Sequence, residues 1–243
     1  MKLTDREKNL SEALTGTAKS ALSLIPGLGQ AIAGWDAYKK SAFDRNLKKT
    51  IFYLTDKVDD LGSFFSDDWI KSEDGQQFSR KVFDSAFDAQ MEDKQELFIN
   101  ALVNGVRDKE TSNLEKLKFV DILRHLSLAS LMILADMHPI FKSKVKGRGQ
   151  PGTFVEGSPL VDSSKIAQEL SDKYHPYLIN ASIYEMESQG LFSNIHEWRK
   201  GTNGKYISGT YFNDALSYTD FTFRFVEFIT TKEGPKQLQD NKE

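Results

Sequence analysis

Asp84 and Asp88 stand four residues apart, so a helix through them would carry both carboxylates on one face. Two carboxylates so placed could share a proton in acid–base work or hold a divalent cation. Ordinary amphipathic helices carry the same pattern on their solvated side, and that reading is the stronger one here. The four histidines, His125, His138, His175 and His196, form no HExxH pair and no other close ligand spacing. His138 and His175 each precede a proline, which suits turn or capping roles. There is no cysteine, which removes thiol nucleophiles, disulfides, iron–sulfur clusters and cysteine-bound zinc. No GxSxG elbow, phosphate-binding loop or dinucleotide fingerprint occurs, and Gly27-Leu28-Gly29 lacks the preceding strand that a phosphate loop needs. The sequence therefore predicts a protein that is not an enzyme, with no catalytic residue, no metal and no cofactor.

The remaining candidates are surfaces. Ser20 to Trp35 is uncharged, rich in small residues and ends on tryptophan, which favours bilayer interfaces. Leu22, Leu24, Ile25, Leu28, Ile32 and Trp35 would be its membrane-contact residues, with Lys19, Lys39 and Lys40 at its edges for headgroups. The segment is too short to span a bilayer as one straight helix. The competing reading is a tight helical hairpin inside a bundle, broken at Pro26-Gly27-Leu28-Gly29. A second stripe, Leu47, Ile51, Leu54, Val58, Leu61 and Phe65, advances by alternating steps of four and three. That is a heptad seam, fit either for self-association or for packing within the chain.

These patterns need helices to carry them. The first is expected over 3–25, the second over 30–65, and further ones over 76–90, 93–106 and 113–126, with Asn104-Gly105 fraying the end of the fourth. Ser127 should cap an apolar helix from Leu128 to Met137, ended by His138-Pro139. Residues 142–162 hold glycines, prolines and Lys142, Lys144, Lys146 and Arg148, and read as a linker or long loop. Beyond it come a helix over 165–173, a turn at His175-Pro176 and a helix over 177–189 ended by Gly190. An extended segment from Leu191 follows, then a tip at 200–205, a return strand over 206–212, and a last helix capped by Thr219.

The fold class expected is mainly α. A helical bundle over 1–141 carries the Pro/Gly-broken apolar hairpin. A small α+β winged-helix-like module follows over 163–232, and 233–243 form a polar, disordered tail. If that module reads DNA, Asn180 and Gln189 on its second helix and Arg199, Lys200 and Lys205 at its wing are the candidates. The same helix carries Glu185 and Glu187 and no cation, and the chain has a net charge of −3, so the balance favours a protein partner.

Three stretches resemble bacterial helical proteins of the abortive-infection protein alpha group. They are Leu24-Ile25-Pro26-Gly27-Leu28-Gly29, then Lys94 with Phe98 to Asn104, Leu126-Ser127 and Leu134, and finally Tyr218-Thr219 through Phe225 and Phe228-Ile229. That resemblance implies a role in phage defence without an enzyme site. The reading reached is a non-enzymatic interaction protein. Its sharper form is a conditional membrane-associating effector, cytoplasmic and peripheral to the inner membrane, with a protein partner, a membrane surface or a second copy of itself as contacts. The alternative is a winged-helix DNA-binding transcriptional regulator with a helical dimerisation domain.

Overall fold

A computed structural model of the chain describes residues 49–50, 52–58, 61–145, 160–195 and 215–230. It is mainly helical and divides into two compact units. One holds the described residues up to Arg124 together with Phe228–Thr230; the other is His125–Glu227.

In the first unit residues 52–57 are helical and Val58 is not, so the single helix expected through Phe65 is interrupted. Helices α1 (Leu61–Ser66), α2 (Asp68–Lys71), α3 (Glu73–Asp88), α4 (Glu92–Arg107) and α5 (Asn113–His125) follow. Capping explains the early breaks. Asp67 accepts the Trp69 N–H at 2.8 Å to begin α2, and Ser72 accepts the Gly75 N–H at 3.2 Å to begin α3. Helix α3 is amphipathic: Phe78, Val82, Phe83, Ala86 and Phe87 are buried, whereas Glu73, Arg80, Asp84 and Asp88 face water. Helix α4 is buried along most of its length, from Phe98 to Val106.

Asn104 and Gly105 do not fray the end of α4. Gly105 leaves room for the rings of Phe78 and Phe228, since a Cβ there would lie 2.5 Å from Phe78 Cζ. The Asn104 side-chain amide donates to the backbone carbonyls of Phe228 at 2.9 Å and Thr230 at 2.7 Å, and Asn100 donates to that of Ile229 at 3.0 Å. Local turn chemistry is overridden because both residues are needed at a packed contact. Lys116, 2% exposed, donates to the Asp108 carbonyl and lies 4.2 Å from the centre of the Trp69 ring.

The second unit contains α6 (Leu128–Val145), β1 (Leu160–Asp162), α7 (Ser163–Leu170), α8 (Pro176–Ser188), β2 (Phe192–Ile195), β3 (Ala215–Tyr218) and most of α9 (Asp220–Ile229). Helix α6 does not stop at His138-Pro139; Pro139 lies inside it. A proline removes one helical hydrogen bond, but Met137 and Phe141 on either side are buried in the core, and their packing carries the helix through. Of the linker expected over 142–162, residues 142–145 belong to α6 and 160–162 to β1, and 146–159 lie outside the described residues. The three strands form one antiparallel sheet in the order β1-β3-β2, with Leu160 opposite Ser217 and Phe192 opposite Tyr218. Thr219 caps α9 as expected, its Oγ1 accepting the Thr222 N–H at 3.3 Å. The return strand expected over 206–212 lies outside the described residues, and β3 begins three residues beyond it.

Candidate functional site

Helix α8 carries three exposed large apolar side chains, Tyr177, Leu178 and Tyr184. His175 begins it, its Nδ1 accepting the Tyr177 N–H at 3.3 Å, and Pro176 supplies a first-turn residue that has no N–H to satisfy. Gly190, with φ of 75°, ends the turn that follows. One face of α8 is fixed by burial of Ile179, Ser182, Ile183 and Met186. The opposite face presents Tyr177, Leu178, Asn180, Ala181 and Tyr184 to water; Tyr177 is 80% exposed and Tyr184 56%. Their spacing places Tyr177, Asn180, Ala181 and Tyr184 along one stripe of the helix.

The acidic character expected of this helix is partly used inside the fold. The Glu185 carboxylate accepts the Ser127 N–H at 2.6 Å, the Ser127 hydroxyl at 2.7 Å and the Ser130 hydroxyl. It thereby satisfies the first turn of α6, where negative charge is favoured. Just ahead of α8, Tyr174 donates to Asp136 at 2.9 Å and Lys173 pairs with the same carboxylate at 3.1 Å. Burial, then the Asp136 carboxylate, raise the Tyr174 phenol above its ordinary range. The exposed residues Tyr177, Asn180, Ala181 and Tyr184 are uncharged, and the half-buried Glu187 stands one turn beyond Tyr184.

Of the DNA-reading candidates, Asn180 is exposed on α8 and Gln189 is half-buried just after it. Arg199, Lys200 and Lys205 lie outside the described residues. So do Leu22, Leu24, Ile25, Leu28, Ile32 and Trp35, and with them the whole apolar hairpin. In the heptad seam, Leu54, Val58 and Phe65 are buried within the chain, Leu61 opens α1, and Leu47 and Ile51 lie outside the described residues.

Asp84 and Asp88 share one face of α3, as their spacing requires. Each stands near an arginine: Asp84 is 3.9 Å from Arg80, and Asp88 is 3.8 Å from Arg124. Desolvation raises the Asp84 carboxyl above its ordinary range, opposed by Arg80, supported by the Asp88 charge and opposed in turn by Arg124. An open groove of about 430 Å³ runs beside Asp84, lined by polar and charged residues that include Gln76, Gln77 and Lys81. Among the described residues, no group of three or more His, Cys, Asp or Glu side chains could hold a metal ion, and no helix is long and apolar enough to cross a membrane. The sequence reading missed Tyr177 and Tyr184 as surface residues. Their seven-residue spacing was visible, but spacing alone does not tell a buried stripe from an exposed one. No protein-family model, curated protein or solved structure matches the chain.

Proposed function

We propose that the chain is a non-enzymatic interaction protein that binds a protein partner through the exposed face of α8. The carrying observation is the uncharged stripe of Tyr177, Asn180, Ala181 and Tyr184, flanked by Leu178. The cores of protein interfaces are enriched in tyrosine and depleted in charge. Phosphate neutralisation needs cations, and α8 has none. Read as a winged-helix module, the second unit presents α8 as its outward helix. Support for that reading comes from the order β1, α7, α8, β2, β3 and from the pairing β1-β3-β2. The duplex-DNA alternative rests on the same topology and on Asn180, an amide suited to adenine.

Tyr177→Ser combined with Tyr184→Ser tests the proposal, because neither ring contributes to the core. The variant should match the parent in thermal unfolding and lose the captured partner at least tenfold in affinity. Retained capture would exclude the α8 face. Parent binding to duplex DNA that weakens steeply with salt would replace the protein-partner reading with the regulator reading.

The effector form of the proposal adds a membrane surface, on the strength of the Ser20–Trp35 sequence and of the resemblance to the abortive-infection group. Its expected outcome is flotation of the purified protein with anionic liposomes. A Leu28→Asp, Ile32→Asp variant that keeps its circular dichroism should stay at the bottom of the gradient. Equal behaviour of the two proteins would make the hairpin a packing element.

A further inference from the structure

We propose that His138 and Tyr218 form an acid-sensitive latch that holds β3 and the start of α9 against α6, so that protonating His138 loosens this part of the second unit. His138 Nδ1 stands 2.9 Å from the Tyr218 hydroxyl. Among the described residues, His138 is the hydroxyl's sole hydrogen-bond partner. Tyr218 is fully buried, and aromatic rings wall the bond. Phe141 of α6 stacks on Tyr218 with centroids 4.3 Å apart, and Phe223 of α9 meets its edge at 4.6 Å and the His138 ring at 5.4 Å.

A neutral imidazole protonated on Nε2 accepts the Tyr218 O–H on Nδ1, which satisfies both groups. An imidazolium carries a hydrogen on Nδ1 as well. The phenol must then become the acceptor and turn its own hydrogen into the aromatic wall, where it loses the bond it had.

The surrounding charges do not rescue the imidazolium. On α6 itself, Lys142 bears on the ring with the same sign. Asp136, two residues before His138, is already engaged by Lys173 and Tyr174. From β3, Tyr218 is held protonated, because burial pushes its phenol far above the ordinary range. From α9, Phe223 is uncharged, and Asp220 pairs with Arg224 at 3.1 Å. Burial first, and Lys142 second, lower the His138 imidazole below its ordinary 6.5. The open or unfolded state therefore takes the proton more readily than the closed one. The latch is at full strength above about pH 6.5 and weakens as pH falls from there through the lowered value of the closed state.

The test is amide hydrogen exchange on the full chain at pH 7.5 and 5.0, read as protection factors, beside proton NMR titration of the histidine rings. Protection at Leu216 and Tyr218 should drop at least tenfold at pH 5.0, while Phe83 and Ile99 of the first unit keep theirs. His138→Asn, which does not titrate, should abolish the pH-dependent part of the drop. The His138 ring should titrate below 6.5. Unchanged protection at Leu216 and Tyr218, or an equal acid loss in the asparagine variant, would overturn the latch. Should that variant fail to fold, the ring titration decides alone, and a midpoint of 6.5 or above refutes the proposal.

Discussion

Gly75→Ala should lower the stability of the first unit by about 2–3 kcal/mol, although alanine is the better helix former. A Cβ at this position would lie 1.9 Å from the Trp69 carbonyl oxygen and 2.7 Å from Ile70 Cα. Those obstacles are backbone, so no rotamer change relieves them. The two elements would have to separate, and α2 is held in place. Its first N–H groups are capped by Asp67, the Trp69 ring lies against Lys116 and 5.5 Å from Phe78, and Ile70 is 1% exposed. Overpacking at such a site costs roughly 3–4 kcal/mol, at or beyond the top of the usual range. The helix-propensity gain of about 1 kcal/mol on replacing glycine offsets only part of that. Urea unfolding of the full chain should show a lower midpoint for the transition that reports on Trp69 fluorescence. A midpoint at or above that of the parent would mean that α2 and α3 can part without loss, and the packing described for them would be wrong.

Asn104→Leu should cost about 2–4 kcal/mol, because leucine keeps the approximate volume and removes the amide. That amide donates to two carbonyls at once, those of Phe228 and Thr230, at the C-terminal end of α9. The last carbonyls of any helix lack intrahelical partners, and in a buried setting each one deprived of a donor carries a desolvation cost of roughly 1–3 kcal/mol. Asn100 still serves the Ile229 carbonyl in this variant, so the loss is not the whole contact. Beyond the fall in urea midpoint, limited proteolysis should cut near Thr230 faster than in the parent. Parent-like stability and cleavage would show that water replaces the amide without penalty.

Periodicity disclosed most of the described helices. The stripe Phe78, Val82, Ala86 and Phe87 predicted α3, and those residues are buried as a stripe should be. The glycine at 190 and the threonine at 219 marked their helix boundaries, because each acts on the backbone within a turn of itself. The strand β1 was not legible. Three residues are too few for an alternating pattern, and its identity comes from pairing with β3 more than fifty residues away. Nor was the role of Asn104-Gly105 legible, since the same dipeptide ends a helix when it is exposed and locks one when it is buried.

The exposed face of α8 shows the division most clearly. The sequence by itself determined that this helix would form, that it would follow the His175-Pro176 turn and that it would contain no Lys or Arg. It also determined the absence of cysteine chemistry, because that depends on residue types alone. Only the tertiary structure decided which side of α8 faces water. The two apolar sets, Ile179-Ile183-Met186 and Tyr177-Leu178-Tyr184, share a similar helical period, and which one is buried depends on neighbours that are distant in sequence. Only the tertiary structure turned Glu185 toward Ser127 and Ser130 and brought His138 to Tyr218, eighty residues along the chain. Periods and caps are local properties of the backbone, whereas burial and hydrogen-bond partners belong to the packed chain.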